Sequence, residues 1–155
     1  DLTWTAFNWA DRNHQGRFIR NASGAWHARE GEPAGLGRHP LKLKMPDGTT
    51  REFATGFGIG HRTELTFLLP KGVFKKFMVW AGNDAGIGGE SVNTFDVLLD
   101  GEVAATTGVQ PRLEKPAQLL EVRLGNAATL TLRVQSTGAP TKTHAVWAEP
   151  TLSRE

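Results

Sequence analysis

From residue 41 onward, apolar residues recur at every second position in run after run, and short turn-forming pairs separate the runs. Leu41-Lys42-Leu43-Lys44-Met45 alternates, Pro46-Asp47-Gly48 turns the chain, and Thr49 to Phe53 returns it. Leu65, Phe67 and Leu69 share one face against Glu64 and Thr66, and Pro70-Lys71-Gly72 closes that run. Phe77, Val79 and Ala81 form the next apolar row. Phe95, Val97 and Leu99 follow, with Asp96 on the other face, and Asp100-Gly101 leads to a return at Val103. Leu120, Val122 and Leu124 precede Gly125-Asn126. Leu130, Leu132 and Val134 then alternate with Thr129, Thr131, Arg133 and Gln135, and Ala145 to Leu152 reads as a last strand. A period of two is the signature of a strand with one wet face, whereas a helix needs 3.6. Asp-Gly between two such runs marks a hairpin, because glycine accepts the positive φ of a tight turn.

About seven or eight strands follow from this pattern, and no ten-residue stretch carries a helical apolar stripe. Many half-wet strands imply an all-β fold, with two antiparallel sheets packed face to face as a β-sandwich. The length of 155 residues suits a single domain spanning 1–155. Its first 40 residues read as an irregular part of that domain: a short strand near Leu2 to Phe7, then irregular structure capping the sandwich, with Gly31 to Pro40 as loop. The chain has no cysteine, so disulfides, thiol catalysis and cysteine zinc sites are all excluded. Net charge is +2 and the basic residues form no stripe, which argues against nucleic-acid binding. No apolar run approaches the ~20 residues of a spanning helix, so no membrane insertion is expected. The chain opens Asp1-Leu2-Thr3-Trp4 rather than with a leader, as a mature product or an excised domain would.

The glycine-rich segment Gly82-Asn83-Asp84-Ala85-Gly86-Ile87-Gly88-Gly89-Glu90 invites a phosphate or metal reading. A phosphate loop feeds a helix N-terminus, but this one feeds a strand, and no Gly-Lys-Ser/Thr follows. The oxygens of Asn83, Asp84 and Glu90 are out of register for a helix-flanked calcium loop. A looser calcium site using backbone carbonyls stays open beside the plainer reading, in which Asn83 and Asp84 bond their own turn. The five histidines (His14, His27, His39, His61 and His144) have no helical metal-ligand spacing, and no nucleophile elbow is present. No catalytic residue is singled out.

In order along the chain stand Asp1-Leu2-Thr3-Trp4, Trp9, Gly56-Phe57-Gly58, Ala81-Gly82-Asn83-Asp84, the Val92 to Val103 element with Phe95, Val97, Asp100 and Gly101, and His144-Ala145-Val146-Trp147-Ala148-Glu149-Pro150-Thr151-Leu152. In this order and spacing the chain resembles the NPCBM domain, carbohydrate-binding module family 51. It departs from the family pattern at four places. The family's strand-leading His aligns with Gly60, and His61 lies one place later, a shift that turns a strand side chain to the other face unless a bulge intervenes. Asn83 replaces the first Asp of the loop pair, and Val146 and Glu149 replace both Asp of the closing motif. These changes would weaken a calcium site built on those carboxylates.

The resemblance implies a jelly-roll sandwich of the galactose-binding type and a non-catalytic module that recognises a glycan, galactose-type or related. Sugar recognition sets an aromatic face against the C–H surface of the ring and charged or amide groups against its hydroxyls. The residues of this chain suited to that work are Trp9, His61, Arg62, Asn83, Asp84 and Glu90. Trp9 serves either as a sugar platform or as a core plug, while Trp4 and Trp147 read as core. Trp80 either lines the site or seals the sandwich edge. No cofactor is required, with a structural calcium ion left open. The implied partners are a carbohydrate ligand and an attached catalytic domain in the parent chain, outside a bacterial cell or in its periplasm. A protein-binding adhesion sandwich is the alternative, followed by a small jelly-roll enzyme acting on glycans.

Overall fold

The computed structural model describes residues 7–10, 26–28, 38–59, 64–86, 92–111, 115–137 and 144–155. These residues form twelve strands and no helix. In chain order they are β1 (Phe7–Ala10), β2 (Trp26–Ala28), β3 (Arg38–Lys44), β4 (Thr50–Phe53), β5 (Gly56–Ile59) and β6 (Glu64–Leu68). There follow β7 (Lys76–Asn83), β8 (Val92–Leu99), β9 (Glu102–Pro111), β10 (Gln118–Arg123), β11 (Thr129–Thr137) and β12 (Ala145–Ser153). With no helix, nothing among the described residues is long and apolar enough to cross a membrane as a helix.

The strands form a five-stranded sheet ordered β1-β6-β11-β8-β9, a four-stranded sheet ordered β10-β7-β12-β5 and a three-stranded sheet ordered β2-β3-β4. Every pairing is antiparallel. The alternating rows read from the sequence meet between the first two sheets. Phe77, Val79 and Ala81 of β7 face Phe95 and Val97 of β8 and Leu130, Leu132 and Val134 of β11, all at most 1 % exposed. Trp147 of β12 is wholly buried there, with its ring edge-on to Phe95 at 5.2 Å between centroids. Burial of an apolar side chain of this size stabilises by about 1.5–3 kcal/mol, which makes these rows the main driving force for the sandwich.

The third sheet was not foreseen. The sequence predicts two layers, but the outer face of the four-stranded sheet is also covered. Leu41, Leu43, Met45 and Phe53 of the β3–β4 hairpin pack against Val146 and Ala148 of β12 and against Ala117. The cause is visible in β12, whose run Ala145 to Ala148 is buried on both faces and so does not alternate. The described part of the first 40 residues holds more strand than expected: β1 lies at Phe7–Ala10, and β3 begins at Arg38, inside the segment read as loop; the strand expected near Leu2 to Phe7 lies outside the described residues except at Phe7.

Two local features fix the geometry. Asp100 and Gly101 both have positive φ, 49° and 85°, the two-residue turn whose twist matches a hairpin. Asp100 is held there by the amide N–H groups of Ala128 and Thr129, each donating to its Oδ1 at 2.9 Å. Gly56 has a φ of 151°, and a Cβ at that position would run into the carbonyl oxygen of Trp147. Only glycine lets β5 lie this close to β12.

Candidate functional site

The apolar rows of three core strands each end in a polar residue, and all three end at the same edge of the sandwich. In β7 the row Phe77-Val79-Ala81 continues to Asn83; in β8 the row reads Asn93-Phe95-Val97; in β11 Leu130-Leu132-Val134 continues to Ser136. The register pairs bring these ends together, with Ser136 opposite Asn93, Asn93 opposite Gln110 of β9, and Ala145 opposite both Asn83 and Ile59.

The polar ends bond one another across the two sheets. Asn93 Nδ2 donates to Asn83 Oδ1 at 2.6 Å, and Ser136 Oγ donates to Asn93 Oδ1 at 2.6 Å. Asn83 Nδ2 reaches the carbonyl oxygen of Gln110 at 3.3 Å. Asn93 is 1 % exposed and Ser136 5 %. Buried polar groups are costly to leave unpaired, so this chain of bonds both satisfies these side chains and ties β7 of one sheet to β8, β9 and β11 of the other. Gln110 is also buried, and its Nε2 has no partner in the structure. Beside the clamp, the Asp84 amide donates to the carbonyl oxygen of His144 at 3.0 Å, while Asp84 Oδ1 accepts from the Gly86 amide at 2.6 Å.

Of the residues the sequence singled out, Asn83 and Asp84 lie at this rim. Asp84 does bond its own turn, through Gly86, and sits almost wholly buried. Asn83 instead bonds across to the other sheet. Trp9 lies in β1 opposite Leu65, in register with the core row Leu65, Leu132 and Val97; its side chain falls outside the described residues. His61, Arg62 and Glu90 also lie outside them. In sequence, His61 and Arg62 connect β5 to β6 and Glu90 connects β7 to β8, and β5 and β7 both end at this rim. Sequence reasoning missed Asn93, Gln110 and Ser136. For Asn93 and Ser136 the signal was present: each is a polar residue occupying an inward position in an otherwise apolar row.

Among the described residues no three His, Asp or Glu side chains converge as a metal site. Asp84 Oδ1 accepts from the Gly86 amide and Asn83 Oδ1 from Asn93 Nδ2.

The family model described as NPCBM/NEW2 domain matches residues 2–153. No curated protein matches the chain. Among solved structures, the M60 catalytic domain with the CBM51-1 and CBM51-2 domains of Clostridium perfringens ZmpB aligns at 24% identity with a TM-score of 0.70, covering 98% of this chain and 14% of that one. CBM51-2 in complex with GlcNAc, with the INT domains of the same protein, aligns at 24% identity with a TM-score of 0.68, covering 97% of this chain and 30% of that one. The CBM51 of Clostridium perfringens GH95 in complex with methyl-galactose aligns at 18% identity with a TM-score of 0.69, covering 98% and 95%. These likenesses establish the fold. The chain spans only a small part of the ZmpB structures that it matches.

Proposed function

The chain belongs to the NPCBM/NEW2 domain family, and from that premise we propose that it is a non-catalytic carbohydrate-binding module, its site built on the polar rim of the sandwich. The observation that carries this reading is the clamp Asn83–Asn93–Ser136, which converts the end of an apolar core into a braced polar platform. Neighbours of the same fold hold GlcNAc or methyl-galactose, which supports a neutral, galactose-type or related sugar as the ligand. Asn83 and Asp84 brace the platform from below. The register sets Trp9 with the core row of Leu65, so His61, Arg62 and Glu90 are the ligand-facing candidates, polar and charged groups for the sugar's hydroxyls.

A single open site of this kind binds weakly, with a Kd on the order of 10 μM to millimolar. Such affinity is useful when the module is tethered to a catalytic domain, because holding that domain near its polymer raises the local concentration. The neighbour that couples two CBM51 domains to an M60 catalytic domain supports this arrangement. We further propose that binding needs no metal, because Asn83 and Val146 stand where the family pattern carries carboxylates.

Glycan-array screening followed by calorimetry, with and without EDTA, tests both points. Saccharide binding that Arg62→Ala and Glu90→Ala weaken, and that EDTA leaves intact, is the expected result. A silent array together with capture of a protein ligand would favour an adhesion module, and product released from a glycan by this domain alone would make it an enzyme.

A further inference from the structure

A hollow of about 520 Å³ opens on the outer face of the five-stranded sheet, away from the core. Its polar lining comes from Glu64 of β6, Thr94 of β8, and Arg133, Gln135 and Thr137 of β11, and Val109 of β9 gives it an apolar wall. The volume lies within the roughly 300–1,000 Å³ of small-molecule clefts.

The lining is held ready by a buried carboxylate. Asp96 Oδ2 accepts from Arg133 Nε at 3.1 Å, from Arg133 Nη2 at 2.8 Å and from Gln135 Nε2 at 2.7 Å. Two long side chains are thereby fixed in one rotamer each, leaving Arg133 Nη1 as a donor and Gln135 Oε1 as an acceptor. The Thr94 and Thr137 hydroxyls can act as either, and Glu64 accepts. Donors and acceptors intermixed over a short distance match a ring bearing several hydroxyls. An anionic ligand fits poorly, because the single cation Arg133 is flanked by Asp96 and Glu64, both of them opposite it in the sheet. A peptide adding itself as a strand fits poorly too. That mode needs unpaired backbone at a sheet edge, whereas the polar lining stands on inner strands: Arg133 lies opposite Glu64 and Asp96, and Thr94 opposite Gln135 and Val109.

The hollow also connects with the rim. Thr137 and Val92, which form the last pair of the β8–β11 ladder, line it, and Ser136 beside Thr137 belongs to the clamp. We propose that this face is an extension subsite for a neutral oligosaccharide, receiving the inner units of a chain whose terminal unit is held at the rim; this rests on the carbohydrate-binding reading above.

Calorimetry and ¹⁵N NMR titration of the whole domain, with methyl galactoside, GlcNAc and galactose–GlcNAc oligomers of increasing length, test the proposal. One to two additional hydrogen bonds net of water should make the longer oligomers bind roughly 5–30-fold more tightly than the monosaccharides. Amide shifts should spread to Thr94, Arg133 and Gln135 only with the oligomers. Thr94→Phe, which fills the hollow from a half-buried outer-face position, should remove the gain with length and leave monosaccharide affinity unchanged. Glu64→Gln with Thr137→Ala should reduce that gain without adding bulk, which guards against misfolding of the first variant. Affinity independent of chain length, or a gain that survives both variants, overturns the extension subsite while leaving the rim site standing. Failure of every saccharide to bind overturns the carbohydrate-binding reading itself.

Discussion

Asn93→Ala is the sharpest test of how the rim is built. The substitution removes two 2.6 Å hydrogen bonds, one donated to Asn83 Oδ1 and one accepted from Ser136 Oγ. Ser136 Oγ and Asn83 Oδ1 each lose that bond in a region where Ser136 is only 5 % exposed. Removing one hydrogen-bond partner from a buried polar group costs about 1–3 kcal/mol. Ser136 should bear a middle value of that range, while the half-buried Asn83 can recruit water and should sit at its low end. With a small term for the truncated side chain, the sum is about 2–4 kcal/mol, a large share of the 5–15 kcal/mol typical of a domain. In urea, with a slope of about 2 kcal/mol per molar, the midpoint should fall by about 1–2 M with the slope unchanged. Sugar affinity should fall as well, because β7 and β8 lose their tie beneath the loops. Ser136→Ala should cost less, since Asn93 keeps its bond to Asn83, and the double variant should show a coupling of about 0.5–3 kcal/mol. A loss below about 0.5 kcal/mol, the scale of an ordinary surface change, together with an additive cycle, would mean that the three side chains do not act as a clamp.

Gly56→Ala should destabilise by about 2–5 kcal/mol in thermal or urea unfolding, combining backbone strain at positive φ with overpacking against Trp147, while sugar affinity of the folded fraction stays unchanged. Acid stability should depend on Asp96. Burial pushes its carboxyl up, but hydrogen bonds from Thr106, Arg133 and Gln135 and the Arg133 charge outweigh that and hold it below the ordinary value. The unfolded state therefore binds the proton more readily; the contribution is fully present above the unfolded pKa of about 3.9 and is lost as pH falls through the folded value. Urea midpoints followed from about pH 6 down to pH 2 should show a shallower acid decline in Asp96→Asn than in the wild type, though not a flat one, because Asp47 and Asp100 are lowered too. Asp100→Ala should lower the melting temperature, since it removes the acceptor for two backbone amides and places alanine at positive φ.

Most of the sandwich was legible because its strands are wet on one face. Phe77-Val79-Ala81, Phe95-Val97 and Leu130-Leu132-Val134 announce both their period and their inward side, and the Asp100-Gly101 turn announces its hairpin. The third layer was not legible from β12, where Ala145 to Ala148 is buried on both sides and so lacks alternation. Asp96 was read as outward, and it is, yet it is only 4 % exposed because Arg133 and Gln135 fold over it. Pattern reading assigns a side chain to a face but does not show what else covers that face. The clamp was hidden for a related reason: Asn93 and Ser136 occupy inward positions, and a polar residue there gains meaning only once the register sets the two opposite each other.

The two ends of the sandwich divide the work. At the far end the core is closed by apolar side chains, with Leu69, Phe74, Leu99 and Leu124 packed against it, and the Asp100 carboxylate binds the turn amides down. At the rim the same rows finish in Asn83, Asn93 and Ser136. Continuing the apolar rows to the rim would bury more area but would leave the loop bases with nothing directional to hold them, since dispersion contacts fix no orientation as hydrogen bonds do. A weak ligand site cannot afford mobile supports, because each side chain ordered on binding subtracts about 0.5–1.5 kcal/mol from a small affinity. The buried clamp orders its supports during folding instead. Stability lost at the far end should therefore leave the affinity of folded molecules intact, whereas an equal loss at the clamp should weaken binding as well.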